Sequence, residues 1–274
     1  MLIRNPSPPP SDDLYSLDEY SSDDSLPQDF PLSREEIVTT IRDFYEYLVR
    51  LYIPESALKL PPPGGWPNIT AASTVDFGKS EFVVDLIRHL PYIEAEDDHD
   101  GNRHNINFKC IVQDYSTYTA SDFAKPDFGE ELAEIEESRT AREHWIVLAR
   151  GYESYGRYLL LNTATGVMRD QDIRANPWFD FGFYEFWTRF KSEYKNLEII
   201  PIPGFEPGVS DGKDVITTEP PSRQEHDFPS GLDENWVRKI YIDHGWPTAS
   251  YDKAAALAAI DDFARGRGAF DQDD

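Results

Sequence analysis

Trp145 to Ile173, WIVLARGYESYGRYLLLNTATGVMRDQDI, constrains this chain more than any other stretch, because all of its local signals point to one structure. Trp145 to Ala149 and Tyr158 to Asn162 are aromatic, β-branched and aliphatic runs, and the Gly-bounded segment Arg150 to Arg157 lies between them, as in a hairpin with a long connection. Thr163-Ala164-Thr165-Gly166 has the small residues and the glycine of a tight reversal, so Val167 and Met168 return antiparallel to Leu159 to Leu161. The pattern predicts a three-strand meander. It specifies a sheet and no reaction.

Helices are predicted on both sides. Ser33-Arg34-Glu35-Glu36 is a capping box, and Ile37, Ile41, Phe44, Leu48 and Leu51 follow on one stripe, which ends before Pro54. A second helix is expected from Lys79 to Leu90, with Ser80 as its cap and Val83, Leu86, Ile87 and Leu90 buried. Between them Pro61 to Pro67 is a stiff connector whose Trp66 is expected to pack on its own domain. Asn105 to Tyr115 alternates as one strand of the same sheet. Ser121 to Glu143 is acidic, a solvated helix or insertion, and Phe183 to Leu197 carries Tyr184, Trp187, Phe190, Tyr194 and Leu197 at helical spacing. Two more helical segments, Asp233 to Asp243 and Tyr251 to Arg265, flank His244 to Pro247. The chain thus divides into an acidic Pro/Ser-rich tail expected to be disordered (1–31), a domain at 32–203, a linker or long loop at 204–231, a C-terminal helical hairpin at 232–266 and an acidic tail at 267–274. The expected class is α+β, a mainly antiparallel sheet with flanking helices, plus the C-terminal helical segments.

Charge narrows the partners. A formal net charge of -25 argues against a broad phosphate-binding face and against anionic membrane, so nucleic acid and membrane insertion are not expected. A protein partner with a neutral or basic surface is. The single cysteine, Cys110, excludes an intramolecular disulfide framework, and the first residues lack an apolar run, which together predict a cytoplasmic protein with the nucleus left open.

No motif supplies a catalytic residue, a cofactor or a metal. Glu96, Asp98, Asp100 and Gly101 mimic half of a calcium loop, but Asn107 stands where the closing bidentate Glu is required. His99 and His104 lack companions at zinc-site spacing. Cys110 has no activating neighbour in any motif and is expected to be a small core residue. Asn68-Ile69-Thr70 matches the glycosylation acceptor pattern and is read as a chance match. Phosphate loops, dinucleotide fingerprints, nucleophile elbows and internal repeats are absent from the sequence.

Arg88-His89-Leu90-Pro91-Tyr92, the strand entering at Trp145, the Leu159-Leu160-Leu161-Asn162-Thr163 run with Thr165-Gly166-Val167, and the aromatic helix from Phe183 resemble, in that order, the SUKH superfamily. That group includes fungal cell-wall assembly regulators and bacterial toxin-immunity proteins. The similarity centres on Trp145 to Pro201, and Asn162 stands where the family usually has Asp. The resemblance implies a non-catalytic α+β binding scaffold and transfers no catalytic residue. The expected function is therefore a protein-binding or regulatory one. The alternatives are an enzyme whose site is assembled from distant residues, or an inhibitor or immunity factor masking a basic surface. Tyr152, Tyr155 and Arg157, on and beside the glycine-bounded loop, are the candidate partner-binding residues.

The tail is predicted to contribute little to folding, because its apolar residues form no buriable stripe and the capping box at Ser33 marks where order begins. Deleting residues 1–31 should leave the melting temperature unchanged in calorimetry. A fall of more than about 5 °C, roughly 1 kcal/mol, would show that the tail packs on the core.

Overall fold

The computed structural model describes residues 31–94, 104–125, 142–173, 178–210, 219–221 and 228–268. The sequence readings that concern the N-terminal tail, the calcium-like loop at Asp98 and Asp100, the glutamates from Glu130 to Glu137 and the last residues lie outside them, as do 211–218 and 222–227 of the linker or long loop.

The architecture is α+β with a mainly antiparallel sheet. Among the described residues six strands form one sheet in sequential order: β3 (Asn105–Asn107), β4 (Cys110–Val112), β5 (Trp145–Gly151), β6 (Arg157–Asn162), β7 (Val167–Asp172) and β8 (Trp178–Gly182). Every neighbouring pair is antiparallel. Short ladders join β1 (Leu58–Lys59) to β2 (Tyr92–Ile93), and β9 (Ile199–Ile200) to β10 (Gly208–Val209), the latter within the stretch assigned to a linker or long loop.

Two sequence readings are corrected. Asn105 to Tyr115 is not one strand but the β3–β4 hairpin, turning at Phe108 and Lys109, where Lys109 takes φ 45 and the Asn107 side chain accepts the Phe108 N–H. A lysine seldom occupies that conformation, so composition alone does not announce the turn. The meander also continues into β8, where Phe179 and Phe181 point inward and Asp180 outward.

Helix α1 (Arg34–Leu51) begins at the expected capping box, with Ser33 N–H donating to Glu36 at 2.8 Å and Glu36 N–H donating to Ser33 Oγ at 3.2 Å. Helix α2 (Glu81–His89) is capped by Ser80, a single turn α3 (Ala120–Phe123) follows, and the aromatic helix is α4 (Phe183–Lys195). Phe44 of α1 meets Trp187 and Phe190 of α4 with centroids 5.1 and 4.9 Å apart, a layer that lies on the inner face of the sheet against Ile146, Leu159, Leu161 and Met168. Tyr184, assigned to the buried stripe from spacing, is exposed, and Phe183 and Phe186 take its place. Trp66 does pack on its own domain and donates to the Leu90 carbonyl at 2.8 Å. The Asn68 amide donates to the carbonyls of Tyr115 and Tyr118 at 3.1 and 3.0 Å, so this side chain is engaged in the fold.

The C-terminal helices α5 (Gly231–Asp243) and α6 (Lys253–Arg267) pack on the same core. They close helix ends whose last carbonyls lack partners within the helix. Lys253 Nζ donates to the carbonyls of Val49 and Ile53, both at 2.6 Å, and Tyr251 donates to Leu51 at 2.8 Å. The ammonium thereby sits at the negative end of α1. Trp246 does the same for α4, donating to Lys195 at 3.1 Å.

Inside this pair lies a fully buried ion pair, Arg267 Nε to Asp233 Oδ1 at 2.6 Å. Burial opposes ionisation of Asp233, but the bonds from Arg267 and Ser230 outweigh it and hold the carboxyl below its usual range. Its contribution is thus complete above the ordinary carboxylate pKa, near pH 4, and is lost as pH falls through the lower folded value. Arg267→Ala should cost about 3–5 kcal/mol in chemical denaturation, because Asp233 is left buried and unpaired. The variant should also lose less stability than the native chain between neutral pH and acid. Equal acid sensitivity in the two proteins would show that the pair is not a source of it.

Candidate functional site

The inner face of the sheet changes character along β6, β7 and β8. The register sets Leu161 opposite Met168 and Met168 opposite Phe181, an apolar row under the start of α4. Two residues further along, Leu159, Asp170 and Phe179 share a row, and beyond them Arg157 lies opposite Asp172. Side chains alternate between faces, so the charges that follow Met168 at two-residue steps must point inward. Helix α4 leaves β8 at the apolar end and runs back over the sheet, which brings Arg189 and Glu193 above the charged end.

A cavity of about 360 Å³ opens there, between β6–β8 and the second half of α4, and is closed by the Asn107-Phe108 turn and by Ile199, Val209 and Ser210. Its apolar wall is Phe179, Phe181, Phe186 and Phe190. Four carboxylates, Asp170, Asp172, Glu193 and Glu198, face two guanidinium groups, Arg157 and Arg189.

Arg157 is committed to a carboxylate, whereas Arg189 Nε is buried with no hydrogen-bond partner among the described residues. Arg157 holds Asp170 through two 2.8 Å contacts, Nε to Oδ1 and Nη2 to Oδ2, and both side chains are largely buried. Arg189 lies over the Phe181 ring at 3.9 Å and 3.3 Å from a Glu193 carboxylate oxygen. Asp172 is left with Arg157 Nη1 at 4.0 Å, and its Oδ1 is buried with no hydrogen-bond partner. Burial pushes the Asp172 carboxyl up, with Arg157 opposing and Asp170 adding. Glu193 is also raised, chiefly by burial, against Arg189 and with help from Glu198 and Asp170.

The three candidate binding residues have different positions. Tyr155 is 62% exposed at the rim of the cavity, with Val209 as the other exposed lining residue. Its backbone takes φ 65, next to Glu153 at φ 59, conformations that side chains of this size rarely adopt. Backbone bonds hold the turn, among them Tyr155 N–H to the Ile173 carbonyl at 3.2 Å, Ile173 N–H to the Gly156 carbonyl at 2.9 Å and Tyr152 N–H to the Lys109 carbonyl at 3.0 Å. Gly156 is required there, since a Cβ would lie 2.5 Å from the Tyr152 carbonyl oxygen and 2.8 Å from that of Lys109. Arg157 lines the cavity in the ion pair described above. Tyr152 turns toward the β3 strand and donates to Asn105 Oδ1 at 2.8 Å, so it anchors the loop. The inward Asp170, Asp172, Glu193 and Arg189 escaped sequence reasoning. The period-2 continuation beyond Met168 was the signal that locates the two aspartates.

Other candidates are placed as follows. Cys110 is fully buried on β4, and burial raises its thiol well above the ordinary value, which suits a core residue and not a nucleophile. Among the described residues no group of three or more His, Cys, Asp or Glu is arranged to hold a metal ion, and no helix is long and apolar enough to cross a membrane. Comparison with family models, with curated proteins and with solved structures finds no match for this chain.

Tyr155→Gly should shift stability by less than about 1 kcal/mol, because relief of the left-handed backbone offsets the freedom glycine gains in the unfolded chain. Thermal denaturation checks this. A loss above about 2 kcal/mol would mean that the ring supports the fold.

Proposed function

We propose that this chain is a non-catalytic protein-binding or regulatory protein with a SUKH-like scaffold, which docks a neutral or basic surface of a protein partner on the face formed by the Tyr155 turn and the cavity beneath it. One observation carries the reading: a large amphipathic side chain is held outward, on a strained and well-bonded turn, at the rim of a cavity that combines an aromatic wall with excess negative charge. Interfaces concentrate their energy in exposed aromatic residues on rigid supports. The net charge of -25 adds long-range attraction for a basic partner. An inhibitor or immunity factor masking a basic surface is a special case of this reading.

A second reading, an enzyme, is favoured by Asp172 and Glu193, two carboxyls raised by burial that face one cavity. Such pairs occur at acid–base sites as well as at binding sites.

Affinity capture followed by kinetics on the isolated complex separates the readings. Tyr155→Ala should weaken a stoichiometric complex by at least about 1 kcal/mol, mainly through faster dissociation, while added salt slows association. Unchanged affinity in a folded variant would remove this face from the interface, and turnover of a small molecule that Glu193→Gln abolishes would favour the enzyme.

A further inference from the structure

The cavity has a chemistry more specific than that of a general docking face. Its four carboxylates outnumber its two guanidinium groups: Arg157 is held by Asp170, and Arg189 lies over the Phe181 ring and 3.3 Å from Glu193 although its Nε makes no hydrogen bond among the described residues, so the cavity as a whole favours a cation over an anion. Its negative groups are not all engaged. Among the described residues Asp172 Oδ1 is buried without a hydrogen-bond partner, and Arg157 Nη1 lies 4.0 Å from Asp172. A buried acceptor in that state is disfavoured until a donor reaches it. Beside it lie aromatic faces, Phe179, Phe186 and Phe190, that suit an aliphatic stem and attract a cation. A volume of about 360 Å³ is at the lower end of the usual range for small-ligand sites and accommodates a head group on a short chain.

We propose that this cavity binds an alkylammonium or alkylguanidinium group, its head donating to the carboxylates of Asp172 and Glu193 and its stem lying along the phenylalanine wall. The inference rests on the binding reading and names the chemistry that the site recognises. The same group can arrive as a lysine or arginine side chain of a partner or as a free small amine. The titratable groups facing the head are Arg157, Asp170 and Asp172 from the sheet, Arg189 and Glu193 from α4, and Glu198 from the segment that follows it. Burial raises both Asp172 and Glu193, so the acceptors are protonated, and cation binding weakens, at a higher pH than ordinary carboxylates would give.

The test is titration calorimetry of the full chain with n-butylammonium, n-butylguanidinium, 1-pentanol and butyrate at pH 7.5. Both cations should bind, pentanol should bind at least tenfold more weakly, and butyrate should give no heat. Asp172→Asn and Glu193→Gln should each weaken the cations about tenfold with the melting temperature retained, whereas Asp43→Asn, on the exposed side of α1, should not. Lowering the pH into the carboxylate range should weaken the native protein's cation binding. Pentanol or butyrate binding as tightly as butylammonium, or cation affinity unaffected by both cavity variants, would overturn the proposal. A blocked Ala-Lys-Ala peptide that binds more tightly than butylammonium supports a partner's side chain as the source, and the reverse order supports a free amine. If no cation binds while Tyr155→Ala still weakens the captured complex, this inference fails and the docking reading stands.

Discussion

The ion pair between Arg157 and Asp170 is the constraint on which the functional end of the molecule depends. It lies on the inner face of the sheet, where a neighbouring row is Leu161, Met168 and Phe181, and its two 2.8 Å contacts are diagonal across the β6–β7 register. A buried pair of this kind adds little net stability, yet either member alone would be strongly destabilising, so the two residues lock each other and the strand register in place. With the pair formed, the charged end of the sheet can sit beneath α4 without collapsing onto it. The cavity is the space that remains, and in it Asp172, two residues further along the strand, keeps Oδ1 without a hydrogen-bond partner among the described residues.

The same logic links the periphery to the core. Helices α1 and α4 supply the aromatic layer over the sheet, and each ends with carbonyls that its own turn cannot satisfy. Lys253, at the start of α6, and Tyr251 and Trp246, in the connection between α5 and α6, reach those carbonyls. That pair of helices is in turn held at its far end by Asp233 and Arg267. Fold and site are therefore supported by a few directional contacts set into a large aromatic core.

Much of this was legible in the sequence where the governing interaction is local. The Ser33 and Ser80 caps, the apolar stripes of α1 and α2, and the turn at Gly166 follow from residues within a few positions of each other. Asn162 shows why: its side chain accepts the N–H groups of Ala164 and Thr165 at 3.0 and 3.2 Å, a job that Asp does equally well. The β3–β4 turn was hidden because Lys109 adopts a backbone that lysine does not advertise. The site was hidden for another reason. Arg169-Asp170-Gln171-Asp172 looks like solvated sequence, and its composition masks the two-residue alternation from Met168 that turns Asp170 and Asp172 inward and Arg169 outward, between Trp145 and Trp178 at 5.0 and 4.9 Å. Arg189 and Glu193 reach the same space because α4 folds back over β8, which spacing on the helix does not encode. Of the loop residues, the exposed Tyr155 was within reach of sequence, but the different duty of Tyr152 was not.

Hydrogen exchange on the captured complex, compared with the free chain, tests the central claim most directly, since it maps the covered surface without any substitution. The account predicts new protection concentrated in the Glu153 to Arg157 turn and at Val209 and Ser210, with α1 and α2 unchanged. Protection confined to α2 and the Pro61 to Pro67 connector, with none around Tyr155, would contradict it.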